Sequence, residues 1–249
     1  MRKTLKVDGT NLRTTYRVEI NGYETYSAPK KIYKFYTIPA KNGLLASSEK
    51  RFDNIIVKYK AGIAQNFATN IDGLRAFLLS REGYVRIEDG YHAGEFRKGI
   101  YEGPFVPEIS DKYEAAEFEL EFNCMPQRFL TSGETATTYN YSASSQTITN
   151  STKFASKPLL RVYGYGTFTL NGRRVTIAQH SQTYIDIDCE TMESYRGTTS
   201  YNNYVTVTAG SSPYLPTVDF PTLKSGSNSL TFADNTITKI DITPRWFTL

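Results

Sequence analysis

Two periodicities alternate along the first half of the chain. In Asn54-Ile55-Ile56-Val57-Lys58-Tyr59-Lys60, the residues Ile55, Val57 and Tyr59 recur at every second position, which predicts a strand. Glu117-Phe118-Glu119-Leu120-Glu121-Phe122 alternates charged with apolar and predicts a strand with one wet face, as in an antiparallel sheet. Between them the spacing becomes helical. Ile71, Leu74, Phe77 and Leu78 fall on one helical face. Thr69-Asn70-Ile71-Asp72 reads as a capping box, with Thr69 capping and Asp72 reaching back. Gly83 closes the element, and Tyr84-Val85-Arg86-Ile87 resumes as a strand. The second half keeps only the strand pattern, at residues 159–163, 167–170, 184–189, 204–208, 229–232 and 237–243. Turn signals separate these runs: the hairpin dipeptide Asn171-Gly172, then Gly226, Asn235 and several prolines. The expected fold class is therefore mainly β, with one short helix in the first half and a β-sandwich in the second.

Charge divides the chain. Residues 1–130 carry 20 basic and 17 acidic side chains, whereas residues 131–249 carry only 9 and 8. The segment 131–156, just past the seam, is half Ser and Thr and reads as a linker running into the loops and short strands of a second domain. We therefore expect one domain over 1–130 and another over 131–249. The 249 residues suffice for two such cores. An apolar fraction of 39% with 22% charged residues marks a globular chain. The 14% aromatic content suits half-buried strands and protein interfaces alike. A net charge of +4, from 29 basic and 25 acidic residues, is too mild and too mixed to indicate nucleic-acid binding. No apolar run is long enough for a transmembrane helix. Met1-Arg2-Lys3-Thr4-Leu5 lacks a hydrophobic signal core, so a soluble, cytoplasmically made protein is expected.

Candidate chemistry is sparse. His92, in the turn-like Asp89-Gly90-Tyr91-His92, reads as a solvated loop histidine, and His180 reads similarly. The two fall in different expected domains, so no metal site is expected. Asp186 and Asp188 share one strand face. They could be half of a carboxylate pair, as in a hydrolase of cell-wall polymer using Asp186, Asp188 or Glu190, or, more simply, the solvated face of an edge or outer strand. Cys124 and Cys189 form no CxxC motif; a disulfide framework is not expected and a single disulfide is left open. Gly164-Tyr165-Gly166 is a turn or bulge rather than a phosphate loop. Tyr195, Tyr201 and Tyr204 cluster in a loop-like stretch and are candidates for contact with a partner or a stacked saccharide, with packing as the plainer alternative. No catalytic residue and no cofactor is expected.

The order of several short segments resembles the distal tail proteins (Dit) of siphophages and prophages of Gram-positive bacteria. Ile38-Pro39-Ala40-Lys41-Asn42-Gly43-Leu44-Leu45 is similar to that family's Ile-Pro-Gly-Arg-Asn-Gly-Asp-Leu stretch, departing at Ala40 and Leu44. Leu78-Leu79-Ser80-Arg81-Glu82-Gly83-Tyr84, Asp89-Gly90-Tyr91 and Arg97 follow in the family's order. The string from Phe122 through Cys124 and Pro126 to Arg128 resembles the Phe-x-Cys-x-Pro-x-Arg close of its first domain. Ser156 to Gly166, the turn Leu223-x-x-Gly226-x-Asn228 and the closing Pro244-x-Trp246 resemble parts of its second domain.

The resemblance implies a first domain that is β-sandwich-like and forms a hexameric ring coaxial with the tail tube. It implies a second domain that is a galectin-like sandwich, which in some relatives mounts receptor-binding proteins. The protein would then be a virion component at the phage tail tip, made in the host cytoplasm. Its partners would be further copies of itself, the major tail-tube protein and the tail-tip protein. DNA would only transit the channel, and no membrane would be involved. A neighbour-contacting arm would place Lys41, Asn42 and Gly43 at a projecting turn and Leu44 and Leu45 as its apolar anchor; core packing is their alternative. The terminal Trp246-Phe247 pair reads as a buried anchor, and the sequence leaves open whether it packs on the first domain. The alternative function is a carbohydrate-binding module for host-surface saccharide.

Overall fold

The computed structural model describes residues 3–21, 23–64, 66–110, 114–209 and 219–249. The chain forms two compact units, residues 1–128 with Leu249 and residues 129–248.

In the first unit the strands are β1 (Leu5–Val7), β2 (Thr10–Asn11), β3 (Val18–Asn21), β4 (Lys31–Thr37), β5 (Leu44–Phe52), β6 (Ile55–Ala64), β7 (Val85–Asp89), β8 (Glu95–Tyr101), β9 (Glu108–Ser110) and β10 (Ala115–Leu130). The last two residues of β10 belong to the second unit. The main sheet runs β2-β1-β7-β8-β10-β6-β3, with β9 also paired to β10. A bridge between Lys3, just before β1, and Ile20 of β3 joins opposite sides of that order, so the sheet curls back on itself. Its core follows from the two-residue period. Ile55, Val57, Tyr59, Ala61 and Ile63 of β6 lie directly opposite Cys124, Phe122, Leu120, Phe118 and Ala116 of β10, and all are buried. Helix α2 (Phe67–Leu79) closes this core with Ile71, Leu74 and Leu78.

Two local expectations change. The helix begins two residues before Thr69, with Asn66 in the left-handed region as its N-cap and no side-chain cap bond. Phe67 packs on the core and draws the backbone into the helix early, so Asp72 pairs with Arg75 at 2.8 Å instead of reaching back to Thr69. A second helix, α1 (Leu12–Tyr16), precedes β3. It buries only Leu12, too little to leave a periodic signal; Asn11 caps it by accepting from the Arg13 N–H at 3.0 Å.

The second unit is a β-sandwich of strands β11 (Thr137–Asn140), β12 (Gln146–Asn150), β13 (Leu159–Gly164), β14 (Gly166–Leu170), β15 (Arg173–Ile177), β16 (Tyr184–Asp188), β17 (Glu193–Arg196), β18 (Thr199–Ser200), β19 (Val205–Ala209), β20 (Gly226–Phe232) and β21 (Ile237–Thr243). Among the described residues one sheet has the order β11-β21-β13-β16-β17-β18 and the other β12-β20-β14-β15-β19. Leu160, Val162, Ile185, Ile187, Ile240 and Ile242 of the first pack with Phe168, Leu170, Val175, Ile177, Leu230 and Phe232 of the second. The Ser/Thr-rich segment contains the short edge strands β11 and β12, to which its β-branched threonines are suited. Asn171 and Gly172 have φ of 51° and 76°, as a tight two-residue hairpin requires. At Gly164 the pairing of β13 with β21 slips, which makes the expected bulge.

Candidate functional site

Strands β4 and β5 form a two-stranded sheet separate from the others. Their register places Tyr36 opposite Leu45 and Thr37 opposite Leu44. One face therefore carries Tyr33, Phe35, Ala46 and Leu44; the other carries Lys34, Tyr36, Leu45 and Ser47. Both faces are exposed, with Phe35 at 61% on one and Leu45 at 52% on the other. An isolated two-stranded hairpin is marginal in water. Apolar side chains on both faces add contacts that only a further surface can cover. Lys41, Asn42 and Gly43 form the connecting turn, all exposed. Ala40, where the distal tail proteins carry glycine, has φ of 63°, a conformation that costs a non-glycine residue about 1 kcal/mol. Sequence reasoning placed this arm by resemblance. Its two-sided apolar character breaks the one-face alternation that marks an ordinary strand.

The family-like motifs serve the two cores. In the string Phe122 to Arg128, Phe122 and Cys124 are fully buried and Arg128 donates to the Thr25 carbonyl at 2.6 Å. Around Pro244-x-Trp246, the Ser156 hydroxyl donates to the Pro244 carbonyl at 2.6 Å. The Leu130 N–H donates to the Trp246 carbonyl at 2.8 Å. Gly133 fits against this segment because a Cβ there would lie 2.3 Å from the Trp246 nitrogen. Trp246 packs against the core of the second unit.

The carboxylates Asp186 and Asp188 are not the solvated face of an outer strand. Both are buried. Asp186 accepts two hydrogen bonds from Arg161 at 2.7 and 3.0 Å, and Asp188 accepts two from Arg245, each at 2.7 Å. Arg245 arrives from beyond the last long strand, a contact that sequence spacing could not show. Burial alone would raise the Asp188 pKa. The Arg245 hydrogen bonds and the Glu190 N–H outweigh it and hold the carboxyl below its ordinary value. We expect Asp188→Asn to destabilise the second unit by about 2 kcal/mol, less than a fully buried pair because Arg245 stays 29% exposed. The folded-state pKa is depressed, so this stabilisation is complete above the ordinary carboxyl value of about 4 and fades as pH falls through the folded value. Urea unfolding followed by Trp246 fluorescence should show the gap to the unsubstituted protein narrowing below about pH 4. A gap unchanged at pH 2 would refute the pairing.

The remaining candidates occupy packed positions. His92 is no solvated loop residue: its ring is nearly buried, with Nδ1 2.9 Å from Asp89 Oδ1 and tilted against the Tyr26 ring at 4.6 Å. His180 Nε2 lies 3.1 Å from the Gly164 carbonyl. Cys124 and Cys189 are both buried free thiols, so the disulfide left open by the sequence is not formed. Burial pushes the Cys124 thiol up to about 12 and raises that of Cys189 as well, which disfavours the reactive thiolate. Among the described residues no group of three or more His, Cys, Asp or Glu is arranged to hold a metal. Tyr201 and Tyr204 come together at 5.4 Å between ring centres, with interplanar angle 49°, while Tyr195 sits in β17 opposite Asp186 and makes no ring contact with them.

The fold defined by these two units matches known structures over nearly its whole length. One is the crystal structure of the Dit protein of phage SPP1, described as a paradigm of the hub adsorption apparatus in phages infecting Gram-positive bacteria. The TM-score is 0.62 at 16% identity, over 96% of this chain and 97% of that one. Another is a chain of the phage P2 baseplate in its activated conformation with Ca, with TM-score 0.50 at 10% identity over 97% of each chain. No protein-family profile and no curated protein matches the sequence. The chain is thus a mainly β protein with the fold of phage hub and baseplate subunits, and specifically that of a Dit-like distal tail protein, as its motifs anticipated.

Proposed function

We propose that this protein is a structural, non-catalytic subunit of a phage tail. Six copies form a ring at the distal end of the tail tube, a hub joining the tube to the tail-tip protein and to receptor-binding components. The observation that carries this reading is the β4–β5 arm, exposed and apolar on both faces, which a neighbouring copy would cover. In the arm, Lys41, Asn42 and Gly43 form the leading turn and Leu44 and Leu45 insert. Residues 1–130 make the ring, and residues 131–249 form the outward mount, where Tyr201 and Tyr204 would meet a partner. The similarity in fold to a hub protein supports this place in the virion. The neutralised carboxylates and buried thiols support a role without chemistry. Gold-labelled antibody against an epitope tag on this chain should decorate virions at the tail end away from the head. Label along the tube, on the head or nowhere on the particle would overturn the proposal.

A further inference from the structure

The sequence holds three Asn-Gly pairs, at residues 21–22, 42–43 and 171–172. Gly22 lies outside the described residues. The other two pairs stand in connections between antiparallel partners, β4 to β5 and β14 to β15. Such a pair has a particular chemistry. Asparagine is among the chemically labile residues. Glycine has no Cβ to shield its backbone nitrogen, so that nitrogen can reach the side-chain carbonyl of the asparagine before it. Whether it does so depends on how freely the asparagine amide moves.

The two asparagines differ in that freedom. Asn171 is locked. Its Nδ2 donates to the Thr222 carbonyl at 2.7 Å and to the Asn228 side-chain oxygen, and its Oδ1 accepts the Ser229 N–H at 3.1 Å. Its own backbone N–H donates to the Ser229 carbonyl at 3.0 Å. Asn42 is exposed, and no hydrogen bond holds its side chain among the described residues. Gly43 is exposed as well, with φ of 83°. Apart from its two chain neighbours, nothing lies within 4 Å of where a Cβ on Gly43 would stand. Lys41, next in the chain, has no carboxylate partner among the described residues. Its charge favours the anion that forms as the Gly43 nitrogen gives up its proton.

We propose that Asn42 is a site of spontaneous covalent modification, deamidation through a cyclic imide, from which the hydrogen bonds of Asn171 protect the other pair. The Gly43 nitrogen, its proton taken up by water, bonds to Cγ of Asn42. The bond from Cγ to Nδ2 breaks, and Nδ2 leaves as ammonia with protons supplied by water. A second water then opens the imide ring. Attack at Cγ gives aspartate; attack at the Asn42 main-chain carbonyl gives isoaspartate, with the chain continuing through Cγ. In sum, a water is consumed and an ammonia released. Either product sets a carboxylate beside Lys41 at the exposed turn, and isoaspartate also lengthens the backbone there by a carbon. The turn thus changes charge and reach without an enzyme, whether or not the chain assembles into a ring.

The test is peptide mapping by mass spectrometry of the full chain after incubation in mildly alkaline buffer, with the trypsin digestion kept brief and slightly acidic. Cleavage after Lys41, Lys50, Arg161 and Arg173 puts the two asparagines on separate peptides, 42–50 and 162–173. In the folded protein Asn42 should be converted about a hundredfold faster than Asn171, whose side-chain hydrogen bonds must open first. Part of the product should be isoaspartate, identified by electron-transfer fragmentation. In concentrated urea the two rates should converge, because both asparagines then precede a glycine in an open chain. Asn171 converting as fast as Asn42 in the folded chain would overturn the proposal. So would an Asn42 that keeps its amide, a product free of isoaspartate, or a gap between the two that persists in urea.

Discussion

Asn228→Ala is expected to destabilise the second unit by about 4 kcal/mol, the largest single effect at any side chain of the sandwich. Asn228 is fully buried. Its side-chain nitrogen donates toward the carbonyls of Ile148, Lys224 and Gly226 at 3.1, 2.9 and 2.9 Å. Its oxygen accepts the Lys224 N–H at 2.7 Å and a further bond from the Asn171 side chain. Truncation leaves several of these groups buried without partners, at roughly 1–3 kcal/mol each, partly relieved by entering water. Against a typical total of about 5–15 kcal/mol this is a large loss. Trp246 is the only tryptophan and packs in this unit, so its fluorescence during urea unfolding reports the unit directly. Asn228→Asp should be at least as damaging, since a carboxylate oxygen would then face three carbonyl oxygens. A midpoint within experimental error of the unsubstituted protein for either variant would show that the network does not hold the turn.

The double substitution Phe35→Asp/Leu44→Asp should abolish ring formation while leaving the subunit as stable as before. Both side chains lie on one face of the arm and are mostly exposed in the single subunit, so the folded chain loses little, within about 0.5 kcal/mol. In a ring each would be covered, contributing about 2 kcal/mol. A carboxylate forced into that dry contact costs more again. Together these amount to at least a thousandfold weaker association by the usual conversion of about 1.4 kcal/mol per tenfold. Light scattering behind size exclusion should find monomer for the variant under conditions where the unsubstituted chain assembles. Rings of unchanged stability would mean that the arm lies outside the interface.

The parts of the structure that the sequence announced are those whose reason is local. The strands β6 and β10 bury one face against one core, so their residues alternate, and Asn171-Gly172 needs only its own two φ angles. The missed elements lack that local signal. Helix α1 buries one residue, and β15 begins with two arginines that hide its Val175 and Ile177. The capping-box reading failed because Phe67, two residues upstream, had a better contact to make than Thr69 had a cap. Asp188 looked solvated because its partner, Arg245, is 57 residues away in sequence. The candidate site follows the same rule. Leu44 and Leu45 could be assigned to the arm only through resemblance, since residues exposed on both faces give no period.

Negative-stain electron microscopy of the purified protein, alone and with the tail-tube protein, tests the central claim most directly. The account predicts closed rings with six-fold symmetry and an open axial channel, in which each subunit reaches its neighbour through the β4–β5 arm. Monomers at every concentration, with no ring even in the presence of the tube partner, would contradict it.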